Sequence, residues 1–298
     1  MTLPRLNKLM ADGLGMGRDE HYQSWIRIRR RLSSPVSNLH ALPTPAYARP
    51  LQLLSGLEFA AANVALWLGC REIREQHPLW PEPHPHPSTG RHREPYGTIP
   101  FAPGLLGLAK GAGINHGVYP GTCIPYVATM DFTLEVGPKD SSRLVHWSCK
   151  PRELLESARN RQRMWERIEL ERLYSRAVAA SHVVIDGTDF TERLVGNLDW
   201  LRPLRSEWLN PEIRSRMEDF GNLFMLVAED TVKKAKQYAS QKLRTDEIAT
   251  ETLFRACAWS GIINIDAFEP VIMSLPLSLD IKARKSKLGL KLLGVDHA

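Results

Sequence analysis

The chain has 298 residues, of which 43% are hydrophobic and 24% charged, with a net charge of +6. That length holds one large domain or two ordinary ones, and the composition is that of a soluble globular protein. No stretch approaches the roughly 20 apolar residues needed to span a bilayer, and the N-terminus lacks an apolar signal core, so neither membrane insertion nor secretion is expected. Cys70, Cys123, Cys149 and Cys257 are far apart and form no C-x-x-C pair. Their spacing argues against a zinc knuckle or a disulfide framework and fits a reducing cytoplasm.

The positive charge is clustered. Arg27, Arg29, Arg30 and Arg31 form one group, Arg159, Arg161 and Arg163 a second, and Lys282, Arg284, Lys285 and Lys287 a third. Each alone reads as solvated surface as readily as a phosphate contact; three together favour a polyanionic partner. Arg27, Arg29, Arg30 and Arg74 are the candidate DNA contacts.

Residues 1–20 are Gly-rich, with room for one short helix. Residues 22–32 (YQSWIRIRRRL) alternate enough to predict a strand, and 41–50 read as irregular. Leu57, Ala60, Ala61, Val64 and Leu68 recur at helical spacing and predict a helix over 57–69 with one buried stripe. Residues 81–104 hold seven prolines and three histidines and read as an extended loop. His84-Pro85-His86 within it has the look of a metal site, but a solvated loop is the better reading.

The chemistry concentrates in residues 126–150. Met130, Phe132, Leu134 and Val136 alternate with polar residues, predicting a half-buried strand with Asp131 on its polar face. Residues 137–141 read as a turn, and Leu144–Lys150 as the return strand. Folding the hairpin about 139–140 brings Asp131 roughly opposite Ser148 and Lys150. Phosphodiester hydrolysis uses this combination: a carboxylate binds Mg²⁺, the metal activates water, and a cation neutralises charge on the phosphate. A plain cross-strand Asp–Lys ion pair is the competing reading.

Pro151 stops the strand, a long helix is predicted over 152–180, and His182–Asp186 reads as a parallel strand. The order α-β-β-β-α-β is that of the PD-(D/E)xK nuclease core, whose first helix often adds an acidic metal ligand. Glu58 is placed for that role, although Ser55-Gly56-Leu57-Glu58 is also a capping box. Glu171 falls on the buried stripe of the long helix with Met164, Ile168, Ser175 and Val178, so it needs a partner, structural or catalytic.

Leu54-Ser55-Gly56-Leu57-Glu58, Ile73–Leu79, Met130-Asp131-Phe132, Lys150-Pro151 and Ile168–Tyr174 together resemble the TnsA family of transposon endonucleases over about residues 22–200. The resemblance implies a catalytic trio of Glu58, Asp131 and Lys150, with Mg²⁺ held by Glu58 and Asp131, Mn²⁺ able to substitute, and Glu171 nearby. Two residues before the lysine the family has an amide, where this chain has Ser148, a poorer metal ligand that leaves metal stoichiometry open. The resemblance further implies cutting of transposon 5′ ends beside a DDE-type transposase, under an AAA+ ATPase regulator, with the chain cytoplasmic and nucleoid-associated in the assembly. A restriction or repair nuclease of the same core, or a non-catalytic assembly subunit, are the alternatives.

The expected fold is therefore α/β: a restriction-endonuclease-like mixed sheet flanked by helices over 1–200, then a mostly helical winged-helix-like domain over 201–298. In the second part, residues 205–240 are rich in helix formers and Thr245–Trp259 predicts a helix ended by Ser260-Gly261. Residues 262–266 and 271–275 read as the two strands of a wing, able to bind DNA or protein.

Overall fold

The computed structural model describes residues 1–28, 39–89, 101–138, 141–156 and 161–294. Arg29 and Arg30 lie outside the described residues, as does the hairpin tip at 139–140. In chain order the elements are α1 (Leu3–Ala11), β1 (His40–Leu42), β2 (Leu51–Leu53), α2 (Gly56–Trp67), β3 (Glu72–Leu79), β4 (His84–Pro85), β5 (Phe101–Ala102) and α3 (Leu105–Gly111). Then follow β6 (Ala128–Val136), β7 (Arg143–Cys149), α4 (Arg152–Glu156), α5 (Arg161–Ala177) and β8 (Ser181–Ile185). The remainder is helical: α6 (Glu192–Leu201), α7 (Arg205–Trp208), α8 (Pro211–Met225), α9 (Val232–Leu243), α10 (Glu247–Ser260) and α11 (Arg284–Leu293).

Two compact units result. The first comprises 1–40, 52–58 and 70–188; the second comprises 41–51, 59–69 and 189–298. The division thus falls at 188/189, and two short upstream segments join the second unit.

The first unit is built on a four-stranded mixed sheet in the order β3-β6-β7-β8, antiparallel except for the parallel pair β7–β8. The β6–β7 register, with Phe132 opposite Trp147 and Thr133 opposite His146, comes from the predicted hairpin. β6 is not half-buried, however. Thr133 and Glu135 are as buried as Phe132 and Leu134, because both sheet faces are covered. The polar face carries an internal network: Arg18 pairs with Glu72 and Glu135, and Ser142 Oγ donates to Glu135 at 2.5 Å. On one face Leu79, Met130, Leu105, Leu170 and Tyr174 share a core cluster.

No strand forms over 22–28. The polar groups of that segment are spent on β3 individually: Tyr22 Oη donates to the Glu75 carbonyl at 2.9 Å, Ser24 Oγ to Glu75 Oε1 at 2.5 Å, and the Trp25 amide to the Gln76 carbonyl at 3.3 Å. His84 and His86 of the Pro-rich segment are not solvated either. His84 Nε2 bonds Tyr174 Oη at 2.8 Å and His86 Nε2 bonds the Val178 carbonyl at 3.1 Å, anchoring the segment to α5 and its C-terminus.

The second unit packs α8, α9 and α10 around Phe220, Phe224 and Phe254. Gly221 is required where α8 meets Ile262, since a Cβ there would lie 2.2 Å from Ile262 Cγ2. The two predicted wing strands are absent. Residues 264–266 pair through single bonds with 278–280 (Asp266 amide to Ser278 carbonyl, 2.8 Å; Asp280 amide to Asn264 carbonyl, 2.9 Å). Residues 273 and 275 instead turn their carbonyls to the amides of Lys233 and Val232, at 2.9 Å each, satisfying the first turn of α9. The basic tail is partly consumed internally: Arg284 contacts Glu269 at 3.1 Å and Lys291 contacts Asp189 at 2.7 Å.

Candidate active site

Glu58 is fixed first by its own helix. Its amide donates to Ser55 Oγ at 3.1 Å, the side-chain half of the capping box, while its Oε2 accepts from the amide of Leu54, one residue before the cap, at 2.8 Å. The same Oε2 also accepts from Gln76 Nε2 at 3.1 Å. Capping and site membership are therefore compatible, because one carboxylate oxygen serves both.

Gln76 reaches Glu58 through a backbone departure. It sits within β3 at φ 49°, in the left-handed region that a non-glycine residue occupies at a cost. Regular pairing with β6 runs on either side, Glu75 with Phe132 and His77 with Met130, and lapses at Gln76 itself. Thr129 Oγ1 donates to Gln76 Oε1 at 3.1 Å and so fixes which end of the amide faces Glu58. Sequence alternation gave no signal for this residue's role, since its direction is set by a dihedral that the alternation cannot encode.

Asp131 lies at the same lapse, one residue before the β6–β7 ladder begins. Its Oδ2 accepts from Lys150 Nζ at 2.6 Å and from the Cys149 amide at 2.7 Å. Lys150 follows β7 directly, and its amide bonds the Ile185 carbonyl of β8 at 2.9 Å, which fixes the point from which its side chain departs. Burial lowers the Lys150 pKa, but Asp131 and then Glu171 outweigh it, and the net shift is upward. The ammonium is therefore charged at neutral pH.

Glu171 on α5 is buried, and its carboxylate accepts from Ser148 Oγ. Ser148 Oγ also lies 2.7 Å from His182 Nε2. The hydroxyl expected as a metal ligand is thus engaged with Glu171 and His182. Burial raises the Glu171 pKa; Lys150 opposes the rise and Asp131 reinforces it. His182, whose part sequence reasoning missed, is held down at about 4 by burial and by the Lys150 charge.

Glu58 carries the clearest electrostatic signature. Its pKa is raised to about 7, first by burial and next by the Asp131 charge, with Lys150 offsetting only part. A buried carboxylate whose charge is opposed by a neighbouring carboxylate fits a hard divalent cation, which favours oxygen donors and relieves the repulsion. No group of three His, Cys, Asp or Glu side chains among the described residues is arranged to hold a metal. Two carboxylates with the remaining positions left to water and substrate oxygens is the pattern Mg²⁺ commonly uses.

No protein-family model matches the chain. One curated relative is similar. It is the transposon Tn7 transposition protein TnsA of Escherichia coli, 22% identical over 268 residues that span 89% of this chain and 86% of that protein. A similarity of that length runs through both compact units.

Of the expected DNA contacts, Arg27 is exposed, beside Gln23. Arg74 is not available: it is buried, donating to the Pro87 carbonyl at 2.8 Å and lying 3.3 Å from His77 Nε2 and 3.6 Å from Glu72. Its strand is covered on both faces, which is why a surface role fails. Among the described residues no helix is long and apolar enough to cross a membrane.

Proposed function

We propose that the chain is a metal-dependent DNA endonuclease that cuts the 5′ ends of a transposable element, acting beside a DDE-type transposase and an AAA+ regulator. The observation that carries this reading is the Glu58–Asp131–Lys150 cluster, in which burial and then Asp131 push the Glu58 carboxyl up, and Asp131 holds an ammonium at 2.6 Å. The similarity to TnsA supports the transposition setting.

Glu58 and Asp131 would hold the cation, Mg²⁺ or Mn²⁺, which when bound supplies Lewis acidity at the scissile phosphate. Lys150 neutralises charge that develops on the phosphate oxygens, since its ammonium is charged and fixed from the β7 end. Gln76 orients the Glu58 carboxylate, and the Cys149 amide orients that of Asp131, so neither must reorganise when substrate arrives. Glu171 and Ser148 form a supporting layer behind Lys150.

A second reading, a non-catalytic assembly subunit, is kept in play by Ser148, whose hydroxyl is committed elsewhere. Nicking of a plasmid carrying the element's ends, in Mg²⁺ and with the neighbouring transposase, separates the two. The nuclease reading expects nicking that disappears in Asp131→Ala; equal patterns from both proteins would favour the assembly subunit.

A further inference from the structure

Beside the candidate active site the first unit contains a cavity of about 260 Å³ that the nuclease reading leaves unused. Its floor is apolar and rigid: Leu79, Leu105 and Leu170 belong to the core cluster under the sheet. One wall is the ring of Tyr126, held edge-on by Tyr119 at 5.1 Å between centroids. Glu171, the supporting carboxylate of the site, also lines the cavity. Ala128, another lining residue, is three positions along β6 from Asp131, which at about 3.3 Å per residue is on the order of 10 Å.

The polar groups of the rim differ in their commitments. Arg163 is tied to Glu166 at 3.0 Å and to the Asn115 carbonyl, so it is part of the wall. Arg167, one turn further along α5, is exposed, and its charge acts on the Glu171 carboxylate. His116 Nδ1 bonds the Gly117 carbonyl at 3.0 Å, while its Nε2 is buried in the wall without a partner among the described residues. In a neutral imidazole whose Nδ1 donates, Nε2 is an acceptor that lacks a donor.

An apolar slot with one aromatic wall and an exposed guanidinium at its mouth matches the parts of a single nucleotide: a flat base and an attached phosphate. We propose that this cavity takes one unpaired nucleobase next to the scissile phosphate, with Tyr126 against the base and Arg167 on the adjoining phosphate. The inference rests on the nuclease reading for its DNA substrate. Holding a displaced base there fixes the strand's position along the site, a role distinct from acting on the phosphate.

The test is fluorescence anisotropy of the full wild-type chain in EDTA, where cleavage does not interfere, with three labelled duplexes: fully paired, carrying one unpaired nucleotide, and carrying an abasic residue at that unpaired position. One stacked base corresponds to a preference of about tenfold or more for the unpaired nucleotide over both other duplexes. Tyr126→Ala should abolish that preference, and Arg167→Ala, at an exposed position with no fold to disturb, should weaken binding of the bulged duplex more than of the paired one. Equal affinity of wild type for all three duplexes, or a preference that survives both substitutions, overturns the proposal. Cleavage of the element's ends is scored separately: cleavage with no base preference sinks the cavity alone, and a base preference without cleavage sinks the nuclease reading alone.

Discussion

Lys150 Nζ and Asp131 Oδ2 stand 2.6 Å apart where the β3–β6 register lapses, and the Cys149 amide donates to the same oxygen at 2.7 Å. The pair is only partly exposed, with side-chain exposures of 17% for Lys150 and 14% for Asp131. It is therefore both a local ion pair and a preorganised charge arrangement.

Removing one member should cost stability as well as activity. Breaking a buried pair costs roughly 3–5 kcal/mol, and partial exposure reduces that here to about 1–3 kcal/mol. Asp131→Ala is expected to stay folded with a lowered melting temperature and no cleavage. Asp131→Ala combined with Lys150→Met should regain most of the melting temperature while remaining inactive. Thermal melts of the three proteins check this; a double variant no more stable than the single one would contradict it.

Gln76→Ala removes the amide that holds Glu58 without touching either carboxylate. Loss of such a supporting bond commonly lowers metal affinity by about 10–100-fold. Mn²⁺ titration followed by electron paramagnetic resonance should show weakening in that range, and unchanged affinity would mean that Gln76 only shapes the strand.

Ser148→Ala strips the buried Glu171 carboxylate of its hydroxyl donor. The expected loss is about 1–3 kcal/mol of stability, with metal affinity close to wild type, because that hydroxyl serves Glu171 and His182. A fall in Mn²⁺ affinity comparable to that of Asp131→Ala would assign Ser148 to the metal instead.

His146 and His182 make stability acid-sensitive. Burial holds His146 at about 3 and His182 at about 4, against an ordinary imidazole near 6.5. Between those values the unfolded chain binds more protons than the folded one. Their contribution is thus complete above about pH 6.5 and is lost as pH falls through about 4. Melting temperature should drop steeply from pH 6.5 to 4, and His146→Asn with His182→Gln should flatten the slope. An equal slope in the variant would place the acid sensitivity elsewhere.

Much of the site is legible because strand periodicity is local. The hairpin, the capping box at Ser55–Glu58 and the buried position of Glu171 all follow from spacings of two, three or four residues. What failed depends on tertiary context. Arg74 reads as an exposed cation until a second layer covers its strand, and 271–275 reads as a strand until its carbonyls are claimed by α9. Gln76 was invisible for a different reason, since a left-handed residue inside a β-rich run leaves no compositional trace. Ser148 stands out in the sequence as a departure from the family's amide, but its partners His182 and Glu171 lie on separate elements that only the fold brings together.

The most direct test of the central claim is strand-resolved mapping of the cuts made on a plasmid bearing the element's ends, in Mg²⁺ with the neighbouring transposase, for wild type and Lys150→Ala. The account predicts 5′-end cuts by wild type that vanish in Lys150→Ala while the transposase's 3′-end cuts persist. Persistence of the 5′-end cuts in Lys150→Ala would contradict it.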